Sequence, residues 1–315
     1  MKIAFDADMA GDERAHWWRA LTRALPDAEW LDAEVVGTGS AAWRAADVAV
    51  VANPAPGRLA ACSRLALIQS LWAGVDRLLQ DATLPRGVPI ARMVDPAMNQ
   101  AMAETATWAV LSLHRHAFDY AAQQGQGLWR VLPQRRADEV AVLVLGLGQM
   151  GGATARRLAG LGYRVGGWSA QAKTLDGIAT SAGLAALPAA LGSADIVVNL
   201  LPLTAATHGL FDRARLAQMR AGAALVNLAR GAHVVEPDLL AALDAGHLGR
   251  AVLDVVATEP LPPDHAFWRH PRVTLWPHAA AQTDLRSAAA VVAANVAALR
   301  RGETPRHLVD DARGY

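Results

Sequence analysis

The 315-residue chain has one cysteine, Cys62, and only two lysines, Lys2 and Lys173. A lone thiol closes no internal disulfide, and without a cysteine cluster there is no thiolate-bound structural metal. The expectation is a metal-free protein of a reducing, cytoplasmic compartment. The N-terminus, "MKIAFDADMAGDER", places acids among its first eight residues and lacks the apolar core of a secretion signal. Long apolar runs are missing too. The longest weakly charged stretch, 177–211, is broken by Gly183, Pro188, Gly192, Pro202 and Asp195. It reads as strand and loop rather than a membrane span. A formal charge of +1 offers no field for nucleic acid or membrane. The scarcity of lysine, made up by arginine, carries no functional reading.

What is present is a globular composition, 53% hydrophobic and 19% charged. At this length two domains are expected. The first third alternates strand and helix signals: "KIAFDA" (2–7), a helix over 12–25, then apolar runs at 47–52, 65–71 and 88–94. Asp95-Pro96 marks a domain junction, since proline suits a first helical turn. A single helix is expected from about Pro96 to Gln124, followed by the loop "GQGLWRVLPQRRADE". A second alternating series begins at Val140, with strands "VAVLVLG", "YRVGGWS", "DIVVNLLP", "AALVNLA", "RAVLDVV" and "RVTLWPH". "DLRSAAAVVAANVAALRRG" is a last apolar-faced helix. Strands alternating with helices predict α/β architecture with parallel sheets covered on both faces.

The first strand of the second series runs into Gly146-Leu147-Gly148-Gln149-Met150-Gly151, and a helical pattern, 153–161, follows. A Gly-x-Gly-x-x-Gly turn in that context fits a dinucleotide pyrophosphate. Gly146 permits the tight turn, Gly148 lets the backbone approach the phosphates, and Gly151 lets the helix pack on its strand. The helix N-terminus then offers free N–H groups and a positive dipole end. The next strand ends at Trp168-Ser169, followed by Ala170-Gln171-Ala172-Lys173, with no carboxylate before Asp176. An NAD site usually has an acid there for the ribose 2′-hydroxyl. Its absence, with Ser169 and Lys173 available to a 2′-phosphate, favours NADP over NAD. Lys173 also reads as a solvated surface lysine.

Ligands of open α/β sheets sit beyond the carboxyl ends of the strands. Three polar side chains close successive strands there: Arg230 after "ALVNLA", Glu259 after "AVLDVV", and His278 at the end of "VTLWPH". A guanidinium matches a carboxylate bidentately. An imidazole moves protons near neutral pH, and a carboxylate beside it favours its charged form. Next to a nicotinamide, this set describes reduction of a 2-oxo acid to a 2-hydroxy acid. His233, close to Arg230, is the other histidine to watch.

The stretches "AGVD" (73–76), "GLGQMG" (146–151), "VNLARGAHVVEPDLLAALDAG" (226–246), "LDVVATEPLPPDHAFWRHPRVTLWPHAA" (253–280) and the ending "DARGY" resemble the D-isomer-specific 2-hydroxyacid dehydrogenases. Within that family the chain is most similar to the bacterial glyoxylate/hydroxypyruvate reductase A group. The resemblance implies two Rossmann-like, doubly wound parallel-sheet domains with the active-site cleft between them. Residues 1–94 and 281–315 would form the flavodoxin-like substrate domain, and 95–280 the NAD(P)-binding domain. It implies Arg230 on the substrate carboxylate, His278 as general acid and Glu259 as its partner, with Ala73, Gly74 and Val75 binding the substrate through backbone N–H groups. Cofactor contacts would come from the glycine turn with Gln149 and Met150, and from Trp168, Ser169 and Lys173. Further along the chain they would come from Leu201, Pro202 and Thr207, from Leu228 and Ala229, and from Asp254 and Ala280. A homodimer is implied, joined through the nucleotide domains.

Trp72 stands where close relatives have a small residue, and Ala170 and Ala172 stand where NADP-preferring relatives carry arginines. Trp72 either narrows the substrate site or points into the core. Trp129 either packs at the dimer interface or reaches the partner's active site, as its counterpart does in relatives. Glu259 distinguishes the chain from formate dehydrogenases, which carry glutamine there. The alternative from another class is a non-catalytic dinucleotide-sensing protein on the same fold.

Overall fold

The computed structural model describes residues 1–310 and Gly314, so all but one residue of the "DARGY" ending lies outside the described residues. The chain divides into two compact units, 1–98 with 283–315 and 99–282.

The first unit runs β1 (Lys2–Ala7), α1 (Gly11–Ala24), β2 (Glu29–Asp32), α2 (Ala33–Val36), α3 (Ala41–Arg44), β3 (Val48–Ala52), β4 (Leu67–Ser70), α4 (Asp76–Leu79) and β5 (Ile90–Ala91). The five strands are parallel in the order β2-β1-β3-β4-β5, a flavodoxin-like winding. Strand alternation builds both faces. Ile3, Phe5, Val48, Val50 and Leu67 face one way and pack with Trp17 and Leu21 of α1. Ala4, Ala49, Val51 and Ile68 face the other way and meet Trp43. The C-terminal helix α11 (Leu285–Arg300) returns to this unit and adds Val292 and Val296 to the first face. Its N-cap, Asp284, accepts from the N–H groups of Arg286 and Ser287.

The helix expected over 96–124 is two helices, α5 (Pro96–His114) and α6 (Ala117–Gly125). The break lies at His116, whose φ of +58° no α-helix accommodates. Its ring bonds Asp119 at 3.1 Å and the Pro133 carbonyl at 3.0 Å, contacts that hydropathy spacing cannot reveal.

The second unit continues β6 (Ala141–Leu145), α7 (Gln149–Gly160), β7 (Arg164–Ser169), β8 (Ala179–Ala182), α8 (Leu187–Ser193), β9 (Ile196–Asn199), α9 (Arg213–Gln218), β10 (Ala224–Asn227), α10 (Glu236–Asp244), β11 (Arg250–Leu253) and β12 (Val273–Leu275). Its seven strands are parallel in the order β12-β11-β10-β9-β6-β7-β8. Order reverses between β6 and β9, the switch point where such sheets bind dinucleotides. Leu143, Leu145, Val197, Leu225 and Leu253 face one helical layer, with Leu191, Leu216 and Leu239. Val142, Val144, Val198, Val226 and Val252 face the other, with Ala106 and Val110 of α5 and Leu158 of α7. Each buried aliphatic contributes about 1.5–3 kcal/mol. The weakly charged stretch at 177–211 contains a helix, α8, as well as strand and loop. Among the described residues no helix is long and apolar enough to cross a membrane.

Candidate active site

The glycine turn has the geometry its sequence predicts. Gly146 has φ +91°, and a Cβ there would stand 2.5 Å from the Leu200 carbonyl oxygen. A Cβ on Gly151 would stand 1.7 Å from the Gly146 carbonyl oxygen. Backbone therefore packs where any side chain would sit. Helix α7 begins at Gln149, four residues before the expected Ala153. Its N-cap, Gly148, supplies no side-chain bond, and the space its side chain would occupy is open. Open space at Gly148 therefore adjoins a helix N-terminus, whose unpaired N–H groups and positive dipole end fit a pyrophosphate. Gln149 is exposed, Met150 half-buried and Gly151 buried.

The other expected cofactor residues divide. The Trp168 indole is buried in the core and donates to the Gly183 carbonyl at 3.0 Å. The Ser169 hydroxyl is buried and donates to the Gln171 carbonyl at 2.6 Å. Lys173 reaches back to the glycine turn, its Nζ donating to the Leu147 carbonyl at 3.2 Å. Leu201, Thr207, Leu228 and Ala229 are buried near the ends of β9 and β10. The Pro202 carbonyl accepts from the Thr207 hydroxyl at 2.7 Å.

Arg230, Glu259 and His278 follow three adjacent strands, β10, β11 and β12, on the same edge of the sheet. His278 Nδ1 lies 2.7 Å from Glu259 Oε2. Glu259 Oε1 accepts from the Val256 N–H at 3.1 Å. The hydrogen bond to Glu259 raises the His278 pKa; burial and the Arg230 charge oppose this but do not prevail. Burial works to raise the Glu259 carboxyl, yet the bond from His278, the Val256 N–H and the charges of His278 and Arg230 hold it below its ordinary value. The pair is therefore an imidazolium–carboxylate pair over a wider pH range than free side chains would be. Arg230 acts electrostatically on both members.

The profile of "D-isomer specific 2-hydroxyacid dehydrogenase, NAD binding domain" matches residues 107–280. A "Glyoxylate/hydroxypyruvate reductase A" of Serratia proteamaculans is 41% identical, covering 95% of this chain and 96% of that protein. The chain belongs to the D-isomer specific 2-hydroxyacid dehydrogenase family. A family member from Xanthobacter autotrophicus, solved with NADPH and MES, superposes with a TM-score of 0.94 at 38% identity, covering 99% of each chain. An NADPH-dependent glyoxylate/hydroxypyruvate reductase of Sinorhizobium meliloti, solved with NADP and sulfate, gives 0.93 at 34% identity over 100% of this chain and 99% of that one.

In this member of the dehydrogenase family, several polar residues support the three strand-end side chains, and of these Asn199, Asn227 and Glu236 were not expected from the sequence. Asn199 Nδ2 donates to Asn227 Oδ1 at 2.9 Å, and Asn227 Nδ2 donates to the Arg230 carbonyl at 2.9 Å. Both asparagines are fully buried at strand ends. The repeated Asn after an apolar run, "IVVN" and "ALVN", was the available signal. His233 is also fully buried, its ring between the carbonyls of Arg230 at 3.0 Å and Pro202 at 3.2 Å. Glu236 accepts from the Ala257 N–H at 2.9 Å and meets His265 at 3.3 Å, pinning the loop that carries Glu259. Asp254, read as a cofactor contact, accepts from the N–H groups of Ala279 and Ala280. Ala280 is itself buried.

In the first unit, Trp72 is half-buried and packs against the core, meeting Trp17 edge-on with ring centroids 6.3 Å apart. Ala73, Gly74 and Val75 follow it into α4. Trp129, in the second unit, is 99% exposed.

Proposed function

We propose that the protein reduces short 2-oxo acids, glyoxylate and hydroxypyruvate among them, to 2-hydroxy acids with NADPH. The single observation carrying this is the 2.7 Å His278–Glu259 pair, on the strand edge that also presents Arg230 and the glycine turn. When bound, the reduced nicotinamide supplies a hydride to the carbonyl carbon. His278, charged because Glu259 favours its imidazolium, gives its Nε2 proton to the carbonyl oxygen. Arg230 binds the substrate carboxylate through its guanidinium fork. The substrate-binding role of the first unit is assigned to backbone N–H groups of Ala73, Gly74 and Val75. The open first turn of α7 binds the pyrophosphate. The relatives named above, called glyoxylate/hydroxypyruvate reductases or solved with NADPH or NADP, support this reading.

The protein is further proposed to work as a cytoplasmic homodimer. Support comes from exposed apolar side chains on the second unit, Leu111 of α5 and Leu128, Trp129 and Val131 after α6. Sedimentation at a single mass of one chain would refute the dimer.

The test of function is NADPH absorbance as the purified protein meets glyoxylate, hydroxypyruvate or pyruvate. Oxidation dependent on a 2-oxo acid supports the reading. No consumption of NADPH or NADH with any of them refutes it.

A further inference from the structure

The adenosine end of the cofactor site contains an unassigned cation. Strand β7 ends in Trp168-Ser169 and continues through Ala170, Gln171 and Ala172, with no carboxylate to bond a ribose 2′-hydroxyl. In this topology the place belongs to an acid when the cofactor is NAD, and to a nearby arginine when it carries a 2′-phosphate. The serine is poorly suited to the phosphate. A hydroxyl has one hydrogen to donate, and Ser169 gives its own to the Gln171 carbonyl. Lys173 gives one of its three hydrogens to the Leu147 carbonyl, which draws its ammonium onto the glycine turn.

The arginine comes from the helix instead of the loop. Arg156 lies on α7, one turn beyond Gly152. Its guanidinium folds back, with its two terminal nitrogens 3.5 and 3.7 Å from the point a Cβ on Gly152 would occupy. Leu175 Cδ2, from the segment after β7, lies 3.7 Å from that point. Arg156 thus stands between the first turn of α7 and the segment that carries Lys173. Its neighbour Arg157 pairs with Glu104 at 3.4 Å. Arg156 is exposed and makes no ion pair among the described residues. A planar, unneutralised guanidinium on the first turns of α7, with an ammonium drawn onto the same glycine turn from the segment after β7, supplies donors for a phosphate dianion, whose oxygens only accept.

We propose that Arg156, with Lys173, binds the 2′-phosphate of the dinucleotide and sets the preference for NADPH over NADH. This rests on the dinucleotide-dependent reduction proposed above. Arg156 acts on affinity and cofactor choice, away from the hydride and proton transfers.

The test is calorimetric titration of the full-length protein with NADP⁺ and NAD⁺, for wild type, Arg156→Ala and Arg156→Lys. In Arg156→Ala the NADP⁺ dissociation constant is expected to rise roughly tenfold to hundredfold, the usual value of a hydrogen bond to a charged group. NAD⁺ binding should change less than about twofold, as for a neutral surface substitution. Arg156→Lys should recover part of the loss, restoring charge without the fork. Equal weakening of both dinucleotides, or unchanged NADP⁺ binding, overturns the assignment. A wild type that binds both equally overturns it as well, while leaving the reductase standing. A wild type that binds neither removes the reductase reading and this inference with it.

Discussion

Gly231 lies directly against the Val256 backbone. A Cβ on Gly231 would stand 1.9 Å from the Val256 carbonyl carbon and 2.0 Å from its oxygen. The turn carrying Arg230 and the loop carrying Glu259 therefore meet through main chain alone, and Val256 in turn donates to Glu259. Gly231→Ala must push the two apart. Overpacking costs about 1–3 kcal/mol, and a misplacement of about an ångström at a reacting group costs roughly a hundredfold in rate. Thermal unfolding and kcat/KM should both fall. A variant with wild-type kcat/KM would show that the contact does not set the site.

If His278 is the proton donor, His278→Ala removes it while leaving the glycine turn intact. Turnover is expected to drop by about 10²–10⁴. NADP⁺ affinity by calorimetry should hold, which separates lost chemistry from lost folding. Undiminished turnover would mean that another group supplies the proton.

The His278–Glu259 pair fixes the direction of the pH dependence. Reduction consumes the imidazolium, so its rate falls as pH rises through the His278 pKa, which lies above the ordinary histidine value. Glu259→Gln still accepts the Nδ1 hydrogen, but its neutral amide weakens that bond, the largest influence raising the pKa, and removes the Glu259 charge that also raises it. Burial and the Arg230 charge, which both lower it, then gain weight. The alkaline limb of kcat against pH is expected to move to lower pH. An identical profile in the variant would remove Glu259 from the proton-transfer step.

Arg230→Lys separates fork from charge. An ammonium keeps the attraction for a carboxylate but loses the bidentate geometry. If Arg230 holds the substrate, KM for glyoxylate should rise and kcat should fall, with the dinucleotide affinity unchanged. Loss of dinucleotide binding instead would place Arg230 in the cofactor site.

The three candidate side chains were readable in the sequence because each follows an apolar strand signal: Arg230 after β10, Glu259 in the loop after β11, His278 after β12. The glycine turn was readable because its spacing follows from backbone sterics. Two edge strands were not. β2 is four residues with only Leu31 buried, and β8, Ala-Thr-Ser-Ala, has no buried residue. An edge strand shares its hydrogen bonds with one neighbour and needs little hydropathy signal. Trp168 reads as a cofactor contact by position alone, whereas its indole belongs to the core; strand polarity does not tell which face a residue takes when both faces are covered. The supporting shell was hidden for a different reason. The bonds from Asn199 to Asn227, from His233 to the Pro202 carbonyl and from Ala257 to Glu236 join residues more than twenty positions apart, and sequence spacing does not announce such partners.

Asp254 provides the sharpest test of that shell. Its backbone carbonyl accepts the His278 N–H at 2.8 Å. Its carboxylate accepts Ala279 at 2.7 Å and Ala280 at 3.1 Å. Three successive N–H groups thus end on one residue, and the first belongs to His278, whose φ of +55° is uncommon for a side-chain-bearing residue. Burial raises the Asp254 carboxyl pKa, with the two N–H bonds opposing. Asp254→Asn keeps the size but turns one acceptor into a donor facing the Ala280 N–H. Two donors then face each other and one of the two Ala280 hydrogen bonds is lost, at a cost of about 1–3 kcal/mol, and the His278 backbone would relax towards ordinary dihedrals. The expected result is a lower Tm and a kcat reduced by roughly ten- to a hundredfold. The alkaline limb should move to lower pH by less than in Glu259→Gln, because Asp254 is the weakest of the influences on His278. A lower Tm with kcat and pH profile intact would leave Asp254 with the fold alone and remove it from the positioning of His278.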